Sequence, residues 1–354
     1  MKKLIALALS ICLLTAAMAG CGTPAPASSA PVSSTPVSSE AAPAPSSTPE
    51  PAKPDPVTLK IAYMPNYGSL WSVLTAKEKG YFADENITVE LVECADGPTI
   101  SAAMESGSID IGYIGQGAHK LCINGRASIF ALSHVSNGDA LIGGKGITKV
   151  EDLKGKKVAY SSGSSSEDIL VNSLTKYGMT MNDIVAMDMD ASAIVTAMLS
   201  GGVDACATWS PNSLKILEEN KDATKLTDNM TFADTTVSLA SWIAMPKYVE
   251  ANRDVLVRFT RALFKGMDYA ANDHFDETAK LVATQTATDY DAAYAQRGDA
   301  QWLTGKQVAM FAADGTVEKY YTLQKKNFID TKAVEVDPPV SDYVMLDIMV
   351  EAGK

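Results

Sequence analysis

The chain has 354 residues, of which 46% are hydrophobic and 20% charged, a balance that supports a folded core and excludes a chain that is disordered throughout. This length suggests about two domains. Because 30 Lys and Arg face 42 Asp and Glu, the net charge is −12 and no long basic block occurs, which argues against binding to nucleic acid.

The five Cys and three His have no spacing typical of a metal site or a disulfide framework. There is also no Gly-x-x-x-x-Gly-Lys-[Ser/Thr] run for a nucleotide. We therefore expect no metal and no cofactor.

The first 20 residues have the layout of a secretory signal. Two lysines precede an apolar stretch from Leu4 to Leu14, which is too short to span a bilayer comfortably. The stretch is followed by small residues and then by Ala-Gly-Cys21, which resembles the bacterial lipobox, where the Cys receives a diacylglycerol before cleavage. We expect residues 1–20 to be a lipoprotein signal peptide and Cys21 the lipidated residue. Ordinary signal cleavage, with Cys21 incidental, is the alternative.

Residues 21–56 differ in composition from the rest of the chain. Ten of the sixteen prolines lie here, and almost no side chain is both apolar and large enough to form a core. We expect a disordered spacer that holds the following domain up to about 100 Å from a membrane, at roughly 3.1 Å per residue of polyproline II.

The remainder of the chain, from Val57 onward, contains one internal repeat. Residues 59–63 (Leu-Lys-Ile-Ala-Tyr) and 156–160 (Lys-Lys-Val-Ala-Tyr) are both predicted as buried strands. Residues 103–110 (Ala-Met-Glu-Ser-Gly-Ser-Ile-Asp) are repeated 94 residues later at 197–204 (Ala-Met-Leu-Ser-Gly-Gly-Val-Asp). Each copy predicts the order strand, helix, strand, helix, strand, which is an open α/β lobe with a mostly parallel sheet.

Ligands of open α/β sheets bind beyond the carboxyl ends of the strands, so two such lobes facing one another would enclose a ligand. The loops at those ends follow the first and third strands of each copy. They are residues 64–68, 115–117, 161–166 and 209–211.

The serine-rich loop from Ser161 to Ser166 offers hydroxyls and backbone N–H groups where a helix begins, which favours an anionic group. The alternative is that Ser164 or Ser165 caps the helix while Glu167 and Asp168 complement its dipole. Both roles are compatible, because a cap uses one hydroxyl.

The other loops offer mixed hydrogen bonds and the flat ring of Trp209, although an aromatic residue at a strand end is more often part of a core. The candidate ligand-binding residues are Asn66, Tyr67, Gln116, Gly117, Ser161, Gly163, Ser164, Ser165, Asp190, Trp209 and Ser210.

Four segments, residues 76–82, 103–113, 151–159 and 200–209, resemble the substrate-binding proteins of ABC importers in the taurine, alkanesulfonate and nitrate group. This group shares its fold with thiamine-precursor binding proteins. The resemblance covers essentially all of residues 57–354 and implies a two-lobe, type II-like periplasmic-binding-protein fold with a cleft between the lobes. It places lobe 1 at 57–140 plus 240–354, lobe 2 at 141–239, and crossover strands near Ile129–Ile142 and Val237–Ala244.

Carried over by this resemblance, the Ser161 to Ser165 loop corresponds to the group's sulfonate-binding loop, and Gln116 and Gly117 to the opposite wall. Ser210 is a departure, because taurine-type members commonly carry an acidic residue there for the ligand's ammonium. Asp139 or Asp190 would have to provide that charge.

The implied function is capture of a small polar or anionic solute, sulfonate- or taurine-like, between the two lobes outside the cell, followed by delivery to a permease and ATPase formed by other chains. We expect a lipid-anchored monomer that is not an enzyme. The alternatives are a thiamine-pyrimidine or other small nitrogenous or aromatic ligand, a secreted serine hydrolase with His119 as base, and an adhesin-type lipoprotein.

Overall fold

Residues 54–354 are described by a computed structural model. The predicted signal peptide, Cys21 and nearly all of the predicted spacer lie outside the described residues. None of the helices in residues 54–354 combines the length and the apolar character that crossing a bilayer requires.

The strands of the described part are, in chain order, β1 (Val57–Tyr63), β2 (Ile87–Glu93), β3 (Ile111–Ile114), β4 (Ser128–Ser136), β5 (Asp139–Gly143), β6 (Lys157–Tyr160), β7 (Val185–Asp188), β8 (Ala205–Trp209), β9 (Thr224–Asp228), β10 (Leu239–Ala244) and β11 (Ala300–Gln301).

The α-helices of the same part are α1 (Tyr67–Glu78), α2 (Tyr81–Asp84), α3 (Gly97–Glu105), α4 (His119–Ile123), α5 (Ser165–Lys176), α6 (Ala191–Leu199), α7 (Asn212–Glu219), α8 (Pro246–Ala251), α9 (Arg253–Ala271), α10 (Phe275–Thr286), α11 (Tyr290–Ala295), α12 (Gly305–Ala313), α13 (Thr316–Asp330) and α14 (Leu346–Ala352).

The strands form two sheets that share one internal order. The first sheet runs β11-β4-β10-β3-β1-β2 and the second runs β7-β6-β8-β5-β9. The three strands of each repeat are parallel, and an antiparallel strand, β10 or β5, lies next to the third one. The predicted two-lobe α/β architecture is confirmed. The sheets are mixed rather than mostly parallel, because the strands of the connections add antiparallel pairs.

The repeated motif that ends in Asp has the same structural role in both lobes. The Asp110 carboxylate accepts a hydrogen bond from the Lys60 N–H at 2.8 Å, and the Asp204 carboxylate accepts one from the Lys157 N–H at 2.8 Å. Each Asp therefore ties the start of the third strand to the first strand of its own repeat. The third strands begin directly after these Asp residues, at Ile111 and Ala205.

The second sheet has a hydrophobic cluster on each face. Leu141 and Val158 face α5, whereas Ile142 and Ala159 face α6, as the alternation of side chains along a strand requires. The first sheet has one larger core that also includes residues of the C-terminal helices α9 to α14. The C-terminal helices thus pack against the first sheet.

The chain passes from one lobe to the other between β4 and β5. The predicted crossover segment Ile129–Ile142 is therefore two strands that belong to different sheets. Asp139 and Ala140 already pair in the second sheet, so this sheet begins two residues before the predicted lobe boundary. The chain returns through β10, within the predicted segment Val237–Ala244.

Candidate ligand-binding cleft

A cavity of about 70 Å³ lies between the two sheets at the carboxyl ends of their strands. A single water needs about 10–15 Å³ by a comparable measure, so the cavity can admit a small molecule. All four predicted loops contribute to its lining. In chain order, the lining residues of these loops are Met64, Asn66, Gly68, Gly115, Gln116, Ser164, Ser165, Trp209 and Ser210.

Segments outside the four predicted loops also line the cavity, and two of them contribute charged as well as aromatic side chains. The crossover connection contributes His134 and Asp139, and the segment after α11 contributes Asp299 and Trp302. Polar residues in the predicted crossover are a usable signal for the first segment, which includes Asp139 as a possible source of charge. The second segment has no repeat partner and no motif, so the sequence carries no signal for it.

Asp139 is the most enclosed charged group of the lining, with 4% of its surface exposed. Its Oδ1 accepts a hydrogen bond from Ser165 Oγ at 2.6 Å, and its Oδ2 accepts bonds from Asn229 Nδ2 at 2.8 Å and Ser238 Oγ at 3.4 Å. Burial raises the pKa of Asp139, and these three hydrogen bonds oppose the rise. The carboxylate is therefore held in place by α5, by the segment after β9 and by the residue that precedes β10.

Asp299 is a second carboxylate of the lining. Burial raises the pKa of Asp299 to about 6; the Asp139 carboxylate acts in the same direction, while Ser210 and Lys225 oppose it. Two carboxylates near one another disfavour joint ionisation. Ionisation of both carboxylates at neutral pH is therefore unfavourable in the ligand-free cleft.

The serine-rich loop mainly serves α5. Ser164 is the N-cap, and its Oγ accepts a hydrogen bond from the Ser166 N–H at 3.1 Å. Glu167, in the first turn, accepts one from the Gly163 N–H at 3.0 Å. The capping alternative for this loop is thus present in the structure, whereas Ser165 points its hydroxyl at Asp139.

Five of the predicted residues are not part of the lining, namely Tyr67, Gly117, Ser161, Gly163 and Asp190. The Tyr67 ring is fully buried, 5.0 Å from the ring of Trp302. Asp190 is exposed and caps α6 by accepting the N–H groups of Ser192 and Ala193. Tyr67 packs against the lining residue Trp302 without lining the cavity itself. Asp190 cannot supply charge to the cavity.

Gly117, Ser161 and Gly163 lie where the two lobes touch. A Cβ on Gly117 would overlap the backbone carbonyl group of Ser164, so only glycine allows this approach. Ser161 Oγ donates to Asp96 Oδ2 in lobe 1 at 3.5 Å. Gly163 has a φ of 72°, in the left-handed region that favours glycine. These residues shape the contact between the lobes rather than the surface that faces a ligand.

Further polar contacts join the lobes. Lys120 Nζ of α4 lies 2.9 Å from Glu167 Oε2 and 3.1 Å from Asp168 Oδ1 of α5. Burial raises the pKa of Asp168 to about 6, against the opposing charge of Lys120. Asn327 Nδ2 of α13 donates to Asn172 Oδ1 at 3.1 Å. The two lobes are thus in direct contact on the α5 side of the cavity.

Asn66 and Gln116 have different roles in the wall opposite to α5. The Asn66 side chain caps α1 by accepting the Ser69 N–H at 2.8 Å, which leaves its amide nitrogen for other contacts. Gln116 is 4% exposed, and its Oε1 has no hydrogen-bond partner. A buried acceptor without a partner indicates a position where a ligand atom can donate.

The sequence profile of the family described as NMT1/THI5 like matches residues 69–274, which is more than half of the chain. The chain belongs to the NMT1/THI5-like family. The resemblance to substrate-binding proteins of the taurine, alkanesulfonate and nitrate group is confirmed by the relatives and the solved structure below.

Curated relatives of this NMT1/THI5-like chain include both binding proteins and an enzyme. A putative binding protein of Brucella abortus (strain 2308) is 27% identical over 296 residues, which span 83% of this chain and 92% of the relative. A putative aliphatic sulfonates-binding protein of Bacillus subtilis (strain 168) is 30% identical over 225 residues, or 60% of this chain and 66% of the relative. A 4-amino-5-hydroxymethyl-2-methylpyrimidine phosphate synthase of Candida albicans (strain WO-1) is 26% identical over 236 residues, with 60% and 67% covered.

A solved structure supports the fold of this NMT1/THI5-like chain. The alkanesulfonate-binding protein from Xanthomonas axonopodis pv. citri, bound to MOPS, superposes with a TM-score of 0.64. The two chains are 19% identical, and the match covers 82% of this chain and 99% of the other. This likeness confirms the predicted periplasmic-binding-protein fold.

Proposed function

We propose that the chain is the extracytoplasmic solute-binding component of an ABC importer, which captures a small polar ligand and delivers it to a membrane permease. The observation that carries this proposal is the cavity between the strand ends of two repeated lobes, with Gln116 on one wall and Ser165 and Trp209 on the other. Ligands of open α/β sheets bind at this edge, and two lobes of this kind close on a ligand by a hinge motion.

The first candidate ligand is a sulfonate such as taurine. One relative is named as a putative aliphatic sulfonates-binding protein and another as a taurine-binding periplasmic protein. The alternative is a thiamine pyrimidine or another small nitrogenous or aromatic compound. The relative named as a synthase and the aromatic surface of Trp209 support this alternative.

The proposed role involves no catalysis. A serine nucleophile needs a base within hydrogen-bond reach. The hydroxyl of Ser165 donates to Asp139, and His119 lies outside the lining with its Nδ1 2.8 Å from Gln324 Oε1. Burial lowers the pKa of His119 to about 4, so the ring stays neutral inside the core of lobe 1.

A thermal-shift screen of sulfonates, nitrate, taurine, thiamine precursors and other small nitrogenous compounds tests the proposed function. A ligand at a hundredfold excess over its Kd stabilises the folded chain by about 2.7 kcal/mol. One class of compound should give a shift of this size. An adhesin-type lipoprotein would show no ligand-dependent stabilisation.

The proposed location is the outer face of the cell membrane, with a monomer anchored through lipid on Cys21 and the proline-rich segment up to residue 56 as a spacer. Two or more acyl chains, at about 0.8 kcal/mol per buried CH₂, make a stable anchor. In a bacterial host, the chain should partition into the detergent phase of Triton X-114 and Cys21→Ser into the aqueous phase. Equal partitioning of both would contradict the lipid anchor.

A further inference from the structure

The cavity is lined by two carboxylates, and Lys225, whose charge opposes the raised pKa of Asp299, lies outside the lining. Asp139 and Asp299 both line it, and none of the Lys or Arg side chains in residues 54–354 does. The Asp139 carboxylate raises the pKa of Asp299, which means that the two groups repel one another when both are ionised. An anion entering the cavity would add to this repulsion, whereas a cation would relieve it.

Several polar groups of the loop before α5 are already hydrogen-bonded. Ser161 N–H donates to Ser166 Oγ, Ser162 N–H donates to Asp188 Oδ1, and Gly163 N–H donates to Glu167 Oε2. The hydroxyl of Ser165 is also committed, at 2.6 Å from a carboxylate oxygen. These groups of the loop are therefore engaged within the protein, and Glu167 adds a negative charge beside any anion at this helix start.

Two buried acceptor atoms of the lining have no hydrogen-bond donor. Gln116 Oε1 and Asp299 Oδ2 are buried oxygen atoms without a partner. Asp139 accepts three hydrogen bonds, whereas a carboxylate has room for about four. A ligand that donates N–H groups would satisfy these acceptors, and a sulfonate or nitrate group, which only accepts, would not.

Aromatic rings form part of the same wall. Tyr113, His134, Trp209 and Trp302 all contribute to the lining. Burial lowers the pKa of His134 to about 3, so this ring adds no positive charge at neutral pH. The faces of Trp and Tyr rings attract cations within about 6 Å of the ring centre.

We infer that the ligand presents a positively charged N–H group, a protonated amine or an amidine, which binds between the carboxylates of Asp139 and Asp299. Its uncharged part lies against Trp209, and Gln116 Oε1 accepts a further hydrogen bond from it. This inference rests on the proposed function and narrows its ligand class. Taurine enters this class through its ammonium, whereas simple alkanesulfonates and nitrate do not.

Probes that share one shape but differ in charge test whether the charge of the ligand determines its affinity. Benzamidinium, benzamide and benzoate share one flat body and are positive, neutral and negative, while taurine and ethanesulfonate differ by one ammonium. Isothermal titration at pH 7.5 should give at least tenfold tighter binding of benzamidinium than of benzamide or benzoate. Taurine should likewise bind at least tenfold more tightly than ethanesulfonate.

Substitutions of single carboxylates show which of them causes the preference for the cationic probe. Asp299→Asn and Asp139→Asn should each reduce the preference for benzamidinium over benzamide at least tenfold. Asp190→Asn is the matched control, because this carboxylate lies in lobe 2 but outside the lining, and the preference should stay within twofold. Since Asp139 also holds Ser165, Asn229 and Ser238, Asp299→Asn is the decisive variant if Asp139→Asn fails to fold.

The possible results distinguish this inference from the proposed function. If benzoate or ethanesulfonate binds as tightly as its cationic or zwitterionic counterpart, the cationic-ligand inference is overturned and solute capture stands. An unchanged preference in Asp299→Asn also overturns the inference. If neither these probes nor any compound of the thermal-shift screen binds, both proposals fail together.

Discussion

Asp139 pairs directly with Trp209 across the antiparallel strands β5 and β8. Opposed residues of an antiparallel pair project from the same face of the sheet, so a carboxylate and an indole ring stand side by side in the cleft. Asp139 begins the second sheet just after the crossover, and Trp209 ends the third strand of the second repeat. The connection between the lobes therefore contributes directly to the surface that meets a ligand.

Trp209→Ala should weaken ligand binding at least tenfold while changing the melting temperature little. The ring lies at the strand end and is only partly buried, so its removal takes away ligand contact more than core packing. Tyr177→Ala removes an exposed aromatic ring outside the cavity and serves as the control in the same titrations. A large loss of stability with unchanged affinity would assign Trp209 to the core instead.

Asp299→Asn should stabilise the ligand-free chain at pH 7.5 and have little effect at pH 4. The folded-state pKa of about 6 exceeds the ordinary value of 3.8, so the stability associated with Asp299 is present at low pH and is lost as the pH rises through 6. A tenfold change in an acid dissociation constant corresponds to about 1.4 kcal/mol, which suggests a gain of about 1–3 kcal/mol in the free energy of unfolding by urea at pH 7.5.

The groups that face Asp299 include Asp139, Ser210 and Lys225, and all three are retained in this variant. Asp190→Asn is the control of opposite sign, because hydrogen bonds from Ser192 and Ala193 lower the pKa of Asp190. That substitution should not stabilise the chain at pH 7.5. A loss of stability in Asp299→Asn at this pH would mean that Asp299 supports the fold rather than the ligand.

The sequence predicts the framework of two repeated lobes well, because each copy is one continuous stretch of chain whose motifs contact one another. Asp110 and Asp204 end matching motifs and make the same contact with the first strand of their own lobe. Asp299 and Trp302 could not be predicted, because they reach the cavity only through the packing of distant helices in lobe 1. Asp190 was a reasonable candidate by position, yet at a helix start its carboxylate serves the backbone of α6.

Lys120→Met should destabilise the chain by about 3–5 kcal/mol at pH 8, because it leaves Asp168 as a buried carboxylate without its partner. The loss should be smaller at pH 5, since the pKa of Asp168 is already raised to about 6 by burial and rises further without Lys120. Urea unfolding at both pH values measures the difference.

Lys154→Met also removes one lysine charge and is the matched control for Lys120→Met. The Lys154 side chain is 78% exposed and lies 4.0 Å from Asp183, and exposed pairs contribute about 0–1 kcal/mol. Equal losses for the two variants would indicate that the Lys120 contact does not connect the lobes in solution.

Gly117→Ala should open the cleft. An added Cβ would overlap the Ser164 backbone of the opposite lobe, and a backbone group cannot move aside as a flexible side chain can. Small-angle X-ray scattering should show a larger radius of gyration, and ligand affinity should fall at least tenfold. Gly298→Ala, where an added Cβ meets nothing within 4 Å, should leave both quantities unchanged. An unaltered radius and affinity in Gly117→Ala would mean that the lobes do not meet here in solution.

The most direct test of solute capture is a crystal structure of the chain grown with the compound that gives the largest thermal shift. The compound should lie between the lobes, in contact with both Gln116 and Trp209, and one of its nitrogen atoms should lie within about 3.2 Å of an Asp139 or Asp299 oxygen. A compound bound on the outer surface of either lobe, with the cavity between β3 and β8 unoccupied, would contradict it.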